Sequence, residues 1–322
     1  MKNNLLIALA IVTFLFVTSC KKDGANKVAT SDEEGPLIPV DPDVNMSDVL
    51  YAHALTPGQY RIIAGQAGQY GSVDGNGANA RFAGPYGIFV KRDGSLLVAD
   101  FDGPVRHLKN DTVVTSINFP PNADGLVYRE GRDIAATKDG SIGVQGENDY
   151  WVYRPDGTLI HSWADIHDKF GGIDVDPTGN YFWRAVFGGL TPQYPNGDVP
   201  PYPPFTVPSS ATVVDAISAA NNGVKYFATY HSMYKLTKTG VCQQIFTNFT
   251  FTNISSIVSS RDGYKIYVVD SGDIKVIANH PNYPKTITTL LSNPKAACIA
   301  LSNSEKYIYF TTTQSTVGKL AL

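Results

Sequence analysis

Short apolar runs separated by glycine-containing turns recur along the chain from about residue 60 onward. The repeating unit is clearest between Gly65 and Leu108, where a Gly-rich loop precedes three runs, Gly87–Val90, Ser95–Asp100 and Val105–Leu108, which are separated by Asp93-Gly94 and Asp102-Gly103. Asp-Gly between apolar runs is typical of tight hairpin turns, because glycine reaches the positive φ that such turns require. The pattern therefore predicts a three-stranded antiparallel meander.

The unit repeats six times. The turn residues are spaced 39 to 46 residues apart, and an isoleucine stands six positions before each of them. We call these isoleucines the isoleucine column: Ile88, Ile134, Ile173, Ile217, Ile257 and Ile299. A spacing of about 40–45 residues is typical of a four-stranded propeller blade. A β-sandwich gives no reason for a fixed residue at a fixed offset, so the column predicts an all-β, six-bladed β-propeller with four-stranded antiparallel blades.

Outer strands are predicted at residues 112–117, 158–163, 242–246 and 285–290. The sixth repeat has only three apolar runs, whereas an isolated run, residues 60–64, precedes the first repeat. We expect strand 60–64 to join the last blade and so to close the ring, which removes the exposed sheet edge of an open array.

The third repeat departs from this pattern. Residues 187–208 contain six prolines between Pro192 and Pro204, and proline cannot lie in a central strand. We expect this segment to be a loop that projects from one face and presents Tyr194, Tyr202 and Phe205. A rigid loop that exposes aromatic rings loses little entropy on binding, so these three residues are predicted to bind ligand.

Composition agrees with a globular β-protein. Of the 322 residues, 43% are hydrophobic and only 17% are charged, and 29 glycines and 20 prolines supply turns. The formal net charge is −3, and no basic stripe offsets it, which argues against a nucleic-acid partner.

The N-terminal segment has the features of a targeting signal. Lys2 precedes a 13-residue run, Leu5–Val17, that is too short to span a membrane comfortably. The tetrapeptide that follows, Val17-Thr18-Ser19-Cys20, resembles a bacterial lipobox, which implies lipid attachment at Cys20. We therefore expect a lipoprotein signal peptide at 1–19, a lipid-anchored flexible tether at 20–56 and a propeller at 57–322, on the periplasmic or the surface side of a bacterial outer membrane.

A resemblance supports the same fold. The first repeat reads Asp74-Gly75-x-Gly77-x-x-Ala80-Arg81-Phe82-x-x-Pro85-x-Gly87-Ile88, then Asp93-Gly94-x-Leu96-x-Val98-Ala99-Asp100 and Val105-Arg106. This stretch resembles the NHL repeat family, whose repeats form β-propellers, very often with six blades. Together with the lipobox, the chain is similar to the propeller lipoproteins of Bacteroidota. Because such propellers include both binding proteins and enzymes, the resemblance implies the fold and leaves the function open.

Two acids beside the isoleucine column are candidates for chemistry at the channel mouth. Asp133 and Asp174 come from adjacent repeats, whereas the other repeats place mostly small or apolar residues there. Because calcium requires six to eight oxygen ligands, we expect both carboxylates to accept backbone N–H groups and predict no metal, with calcium as the open alternative. We also expect Cys242 and Cys298 to be free thiols, since they fall on an outer and an inner strand.

These observations favour a non-catalytic propeller of the cell envelope that binds a glycan, a peptide or a neighbouring envelope protein. The alternative is a metal-dependent propeller lyase or lactonase, with Asp133 and Asp174 at the channel mouth. Convergent polar ligands at the mouth would favour the enzyme, and a broad apolar patch would favour a scaffold in a larger complex.

Overall fold

The computed structural model describes residues 55–121, 125, 130–164, 171–186, 189–211 and 213–322. In these residues the chain forms 24 β-strands and two 3₁₀ helices, at Gly77–Asn79 and Ser209–Ala211. The predicted signal peptide, Cys20 and nearly all of the predicted tether lie outside the described ranges. Within them, we find no helix with the length and apolarity that crossing a bilayer requires.

The strands form six antiparallel sheets, which we number as blades 1 to 6 along the chain. Blade 1 contains β2 (Gly75–Asn76), β3 (Pro85–Val90), β4 (Leu96–Asp100), β5 (Val105–Lys109) and β6 (Val113–Ile117). Blade 2 contains β7 (Asp133–Ala136), β8 (Ile142–Gln145), β9 (Asp149–Tyr153) and β10 (Leu159–Ala164). Blade 3 contains β11 (Ile173–Val175), β12 (Phe182–Val186) and β13 (Gly189–Gln193).

Blade 4 contains β14 (Ala216–Ala219), β15 (Lys225–Ala228), β16 (Met233–Leu236) and β17 (Cys242–Ile245). Blade 5 contains β18 (Ile254–Ser259), β19 (Lys265–Asp270), β20 (Asp273–Ala278) and β21 (Thr286–Leu291). Blade 6 combines β22 (Ala296–Leu301), β23 (Tyr307–Thr312) and β24 (Thr316–Ala321) with β1 (Tyr60–Gly65) from the N-terminal side. The four predicted outer strands are therefore present within one residue of their predicted bounds.

The first strand of each repeat lies at the centre of a closed ring. Each of these inner strands, β3, β7, β11, β14, β18 and β22, contacts the next one, and β22 contacts β3. The isoleucine column lies on these six strands, and every member is at most 4% exposed. Burying such a side chain contributes about 1.5–3 kcal/mol, so the column stabilises all six blade interfaces around the axis. The predicted six-bladed β-propeller is confirmed.

The ring closes as predicted. Strand β1 pairs antiparallel with β24, and Tyr60 lies opposite Leu320 and Gly65 opposite Thr316. Beyond the paired strands, the Gly58 N–H donates to the Ala321 carbonyl at 2.9 Å. The outermost strand of blade 6 thus comes from the opposite end of the propeller sequence, so that backbone hydrogen bonds hold the ring shut.

Two blades do not have the predicted four strands. Blade 1 gains the two-residue strand β2, which pairs with β6, and blade 3 has three strands in the described residues. The expectation that residues 187–208 form only a projecting loop is wrong, because β13 contains Pro192 opposite Trp183. Strand β13 is the edge strand of its sheet, and an edge strand needs hydrogen bonds on one side only, so it accommodates proline.

In blade 1, the Gly-rich loop is held down by one buried arginine. The Arg106 guanidinium donates from Nη2 to the Val73 carbonyl and to Asp74 Oδ1, both at 2.9 Å. Its Nη1 donates to the Arg81 carbonyl at 2.6 Å and lies 3.4 Å from Asp100 Oδ2. Arg106 therefore fastens both sides of the loop to the blade, which explains why an arginine stands in the third strand of the first repeat, β5.

Glycine allows the inner strands of blades 1 and 2 to approach closely. A Cβ at Gly87 would lie 2.5 Å from the Asp133 Cα, and a backbone atom there cannot move aside as a flexible side chain can. A side chain at this position would therefore push β3 and β7 apart.

We predict that Gly87→Ala lowers the free energy of unfolding by about 1–3 kcal/mol, the usual cost of overpacking. Gly189→Ala is the matched control, because its Cβ would have only an ordinary contact with the Val207 side chain at 3.4 Å. Urea unfolding of both variants measures the difference. Equal stability of the two variants would contradict the close approach.

Candidate functional site

A cavity of about 550 Å³ follows the axis of the propeller, and all six blades contribute to its lining. It extends from the residues that begin the inner strands to the turns that follow those strands. Both predicted channel-mouth acids, Asp133 and Asp174, line this cavity and are half-buried.

Asp133 joins blade 2 to blade 3. Its Oδ1 accepts the N–H of Ile134 at 2.9 Å, and its Oδ2 accepts the N–H of Ile173 in the next blade at 3.0 Å. Burial raises the pKa of Asp133 to about 7, although these two hydrogen bonds oppose the shift. The Cys298 Sγ lies 3.9 Å from Oδ1, and burial raises the pKa of that thiol to about 12.

Asp174 joins blade 3 to blade 4 in the same way. Its Oδ1 accepts the N–H of Val175 at 2.7 Å, and its Oδ2 accepts the N–H of Ala219 at 2.8 Å. Burial raises the pKa of Asp174 to about 6. The expectation that both acids accept backbone N–H groups is therefore confirmed.

Hydroxyl groups do the same at two further interfaces. Ser218 Oγ accepts the N–H of Ser259 at 3.0 Å, which links blade 4 to blade 5. Ser256 Oγ accepts the N–H of Ile299 at 3.1 Å, which links blade 5 to blade 6. The polar residues beside the isoleucine column thus share one structural task around the ring.

The residues two positions before the isoleucine column form a separate set at one end of the cavity. Five of these six residues line it: Tyr86, Arg132, Gly171, Asp215 and Ser255. Tyr230, from the loop between β15 and β16, also lines the cavity and is 52% exposed. We call this end the acidic mouth, because Asp215 and the nearby Asp133 line it, and Glu147 pairs with its one lining cation, Arg132.

Arg132 is held from several sides at the acidic mouth. Its Nη2 lies 3.2 Å from Glu147 Oε2, and its guanidinium carbon lies 5.6 Å from the Tyr86 ring centre and 5.9 Å from that of Phe101. Its Nε is buried and has no hydrogen-bond partner among the described residues. The arginine is therefore fixed in place with one donor unused.

Asp215 also lines the acidic mouth and interacts electrostatically with Arg132. Burial raises the pKa of Asp215 to about 6, while Arg132 and the Tyr230 backbone N–H favour its ionised form. Its Oδ2 is buried without a hydrogen-bond partner in the described part of the chain. Both atoms lie beneath the surface of the cavity, and a buried polar atom without a partner costs about 1–3 kcal/mol.

The opposite end of the cavity carries the reverse charge. Four cations from three of the turns that follow inner strands line this end, which we call the basic mouth: Lys91, Arg92, Lys138 and Arg261. Asp93, Asp176 and Glu305 line the same end and offset part of this charge. The axis of the propeller thus runs from an acidic to a basic opening.

The predicted ligand-binding aromatics lie elsewhere. Tyr202 and Phe205 are half-buried, with ring centres 4.6 and 6.1 Å from that of Trp183, and the Tyr202 hydroxyl donates to the Thr237 carbonyl at 3.1 Å. The expectation that a projecting loop presents these two rings is wrong, because the segment folds back over blades 3 and 4 and fills their interface. Tyr194 is half-buried against Tyr181, at 5.7 Å. Ligand binding by these three residues stays a prediction.

The remaining candidates from the sequence are the three cysteines and a metal site. Cys242 and Cys298 are both free thiols, Cys242 half-buried and Cys298 buried. Cys20 lies outside the described residues, so its lipidation stays a prediction. No group of three or more His, Cys, Asp or Glu side chains within the described ranges has the geometry to hold a metal ion.

Arg132, Asp215 and Tyr230 were not predicted from the sequence. Arg132 and Asp215 could have been found from the isoleucine column, because the residues two positions before its members include Tyr86, Arg132 and Asp215. Tyr230 gave no such signal, since it belongs to a connecting loop whose position depends on the closed ring.

Comparison with solved structures supports the fold. Virginiamycin B lyase from Staphylococcus aureus is 14% identical, with a TM-score of 0.55 over 82% of this chain and 100% of that chain. A Bacteroides thetaiotaomicron protein of unknown function is 16% identical, with a TM-score of 0.60 over 81% of this chain and 75% of that chain. A gluconolactonase from Xanthomonas campestris is 9% identical, with a TM-score of 0.57 over 82% of this chain and 89% of that chain.

At these identities the similarity concerns the fold alone. No protein-family model matches the chain, so membership of the NHL repeat family stays a prediction. No curated protein matches it either. The chain is thus a six-bladed β-propeller that resembles lyase, lactonase and uncharacterised propellers in architecture.

The raised pKa of Asp133 predicts a pH-dependent stability. Because its pKa of about 7 in the folded protein exceeds the ordinary value of 3.8, the folded state holds the proton over a pH range in which the unfolded state has lost it. The stabilisation is fully present below about pH 4 and is lost as the pH rises toward 7.

In Asp133→Asn this titration is absent. The stability of the wild-type protein relative to this variant should therefore fall with rising pH, by up to about 1.4 kcal/mol per pH unit, in urea unfolding at pH 5, 6 and 7. Asp156→Asn is the control, because Asp156 is exposed and its pKa is lowered by the Thr158 N–H. Parallel stability curves for wild type and Asp133→Asn would refute the assignment.

Proposed function

We propose that the protein is a non-catalytic binding propeller of the bacterial cell envelope, whose ligand enters the acidic mouth of the axial channel. The observation that carries this proposal is the axial cavity itself, whose acidic mouth is lined by Tyr86, Arg132, Asp215 and the 52% exposed Tyr230. Aromatic rings and a few polar groups that converge on one cavity are typical of binding sites for small ligands.

The contacts of the two channel acids support binding over catalysis. A general acid or base needs an oxygen that is free to exchange a proton with the substrate. Both oxygens of Asp133 and both oxygens of Asp174 accept backbone N–H groups, and in each carboxylate the Oδ2 bond joins two neighbouring blades. Withdrawing either carboxylate for chemistry would leave buried N–H groups unpaired.

The shape of the site favours a small ligand or the end of a chain. A cavity of about 550 Å³ lies within the range of about 300–1,000 Å³ that is common for small-molecule pockets. A glycan, a peptide or an extended segment of an envelope protein are the ligands that the envelope location offers.

We infer the envelope location from the N-terminal sequence. The apolar run Leu5–Val17 and the lipobox-like Val17-Thr18-Ser19-Cys20 indicate a lipid-anchored protein, with NHL-type repeats forming its propeller. The anchor holds the propeller at the outer membrane, on the periplasmic or the surface side.

We predict that Cys20→Ser releases the protein from the membrane fraction, because the lipid would have no thiol to attach to. Fractionation of bacteria that express the wild-type chain and the variant, followed by immunoblotting, measures the distribution. Cys242→Ser is the control and should leave the protein with the membranes. Equal membrane association of both variants would refute lipid anchoring at Cys20.

The alternative, a metal-dependent lyase or lactonase, is favoured by one observation. Asp133 faces the cavity with a pKa raised to about 7, and such a group exchanges protons readily near neutral pH. Chromatography with mass detection of a bound ligand that is recovered after incubation, with and without calcium, separates the two functions. A lactonase adds water and so changes the mass, whereas a lyase that opens a ring by elimination keeps the mass but changes the retention time.

A thermal-shift screen of the full-length chain against peptides and envelope glycans tests the binding site. We predict that a ligand at about 100 times its Kd adds about 2.7 kcal/mol to the free energy of unfolding. Tyr230→Ala should remove this effect, because Tyr230 lines the acidic mouth. Tyr283→Ala should retain it, since Tyr283 is 68% exposed and does not line the cavity.

The same screen tests the Pro-rich segment. If Tyr194→Ala removes the ligand effect and Tyr230→Ala does not, the ligand binds to that segment and the assignment to the acidic mouth is wrong. If neither substitution matters, neither surface is the binding site.

A further inference from the structure

The acids that line the basic mouth are paired with cations. Asp93 Oδ2 lies 3.6 Å from Lys91 Nζ. Glu305 Oε1 accepts the backbone N–H of Arg261 at 2.7 Å and lies 4.0 Å from Arg261 Nε. These two pairs account for two of the three acids and for two of the four cations at this opening.

The third acid, Asp176, is buried in a hydrogen-bond network of its own. Its Oδ2 lies 3.3 Å from Lys225 Nζ and accepts the indole N–H of Trp183 at 3.2 Å, and its Oδ1 accepts the N–H of Thr178 at 3.1 Å. Lys225 does not line the cavity. The charge of Asp176 is therefore compensated from behind the wall of the opening.

Two cations of the basic mouth remain, Arg92 of blade 1 and Lys138 of blade 2. Both line the cavity and are exposed, and neither forms an ion pair with an acid in the part of the chain that the structure describes. Asp139 follows Lys138 in the sequence, but its Oδ1 accepts the N–H of Ser141 at 3.0 Å and the hydroxyl of Thr137 at 2.6 Å. The positive charge of this opening is therefore concentrated on Arg92 and Lys138.

These two cations meet over one turn glycine of blade 3. Arg92 Nη2 lies 2.8 Å, and Lys138 Cβ 3.0 Å, from the point that a Cβ on Gly179 would occupy. The backbone N–H of Lys138 also donates to the Gly179 carbonyl at 2.8 Å. Gly179 lines the cavity and has a φ of +73°, which glycine adopts without strain. The Arg92 side chain thus reaches from blade 1 to blade 3 and places its guanidinium beside the Lys138 side chain.

Two positive groups beside each other, without an acid between them, attract an anion. The planar guanidinium of arginine offers parallel N–H donors that match two oxygens of a carboxylate or a phosphate, and a lysine ammonium adds a mobile point charge. Their position at the rim of a concave opening strengthens the attraction, because a cleft focuses the field of like charges that line it.

We propose that the basic mouth binds an oxyanion group, a carboxylate or a phosphate, between Arg92 and Lys138. This site lies at the opposite end of the axial cavity from the acidic mouth, so the inference goes beyond the proposed function and does not depend on it. It assigns a second class of ligand to the propeller, namely small acids and phosphate esters.

Calorimetric titration of the full-length chain in dilute buffer tests the inference at about pH 7.5, where a phosphate ester carries nearly two negative charges. The probes are glucose 6-phosphate, glucuronate and inorganic phosphate, with uncharged glucose as their control. We predict that at least one anion binds roughly tenfold or more tightly than glucose, and that added salt weakens this binding, because salt screens exposed charges. Comparison of glucuronate with the two phosphates identifies the carboxylate or the phosphate as the preferred group.

Substitutions locate the site. Arg92→Gln and Lys138→Gln should each weaken binding of the anion by roughly fivefold or more, because each removes one of the two charges, and Arg92→Lys should retain more affinity than Arg92→Gln. Lys238→Gln is the matched control, since Lys238 is exposed beside Gly223, the turn glycine of blade 4, and does not line the cavity. Thermal unfolding of each variant verifies that it has kept its fold.

Equal binding of the anions and glucose, or anion binding that survives both Arg92→Gln and Lys138→Gln, would overturn the inference. An equal loss in Lys238→Gln would also overturn it, because binding would then follow the overall charge of the protein. If Tyr230→Ala abolishes anion binding and Arg92→Gln does not, the anion binds at the acidic mouth, so that this inference fails and the proposed function stands.

Discussion

The propeller depends on hydrogen bonds that cross from one blade to the next around the axis. Neighbouring inner strands belong to different sheets, so no backbone ladder pairs the N–H groups between them. A buried N–H without an acceptor costs about 1–3 kcal/mol. Side chains beside the isoleucine column supply the acceptors instead, as carboxylates at Asp133 and Asp174 and as hydroxyls at Ser218 and Ser256. Four of the six blade interfaces, from blade 2 to blade 6, are joined in this way.

This constraint separates polar residues whose side chains join two blades from polar residues that do not, and the two kinds lie one position apart in the sequence. Asp133 is committed to the ring, whereas Arg132 keeps a donor unused. Ala216 packs in the core, whereas Asp215 keeps an acceptor unused. A charged side chain beside the axis therefore carries functional meaning only after its backbone partners have been identified.

The repeat architecture was predictable because it follows from local chemistry. Isoleucine at a fixed offset from a turn is buried in any blade, and closure by residues 60–64 follows from the need to cover a sheet edge. The prolines of the third repeat led to the wrong prediction of a loop in place of β13. The sequence does not reveal that β13 is an edge strand, where Pro192 is tolerated. The acidic mouth depends on the ring as a whole, because Tyr230 and Asp215 approach Arg132 only when blades 2 and 4 face one channel.

The position of β1 has a mechanical consequence. Any force applied through the chain before residue 55 reaches the propeller at Gly58 and Gln59, which hydrogen-bond to Ala321 just before the outermost strand of blade 6 begins. Strand β1 is hydrogen-bonded on one side only, to β24. A force directed away from the sheet would therefore break these hydrogen bonds one after another, and not all of them at once. The strand that closes the ring is thus also the point at which tension would open it, with Ile63 and Ala64 leaving the core first.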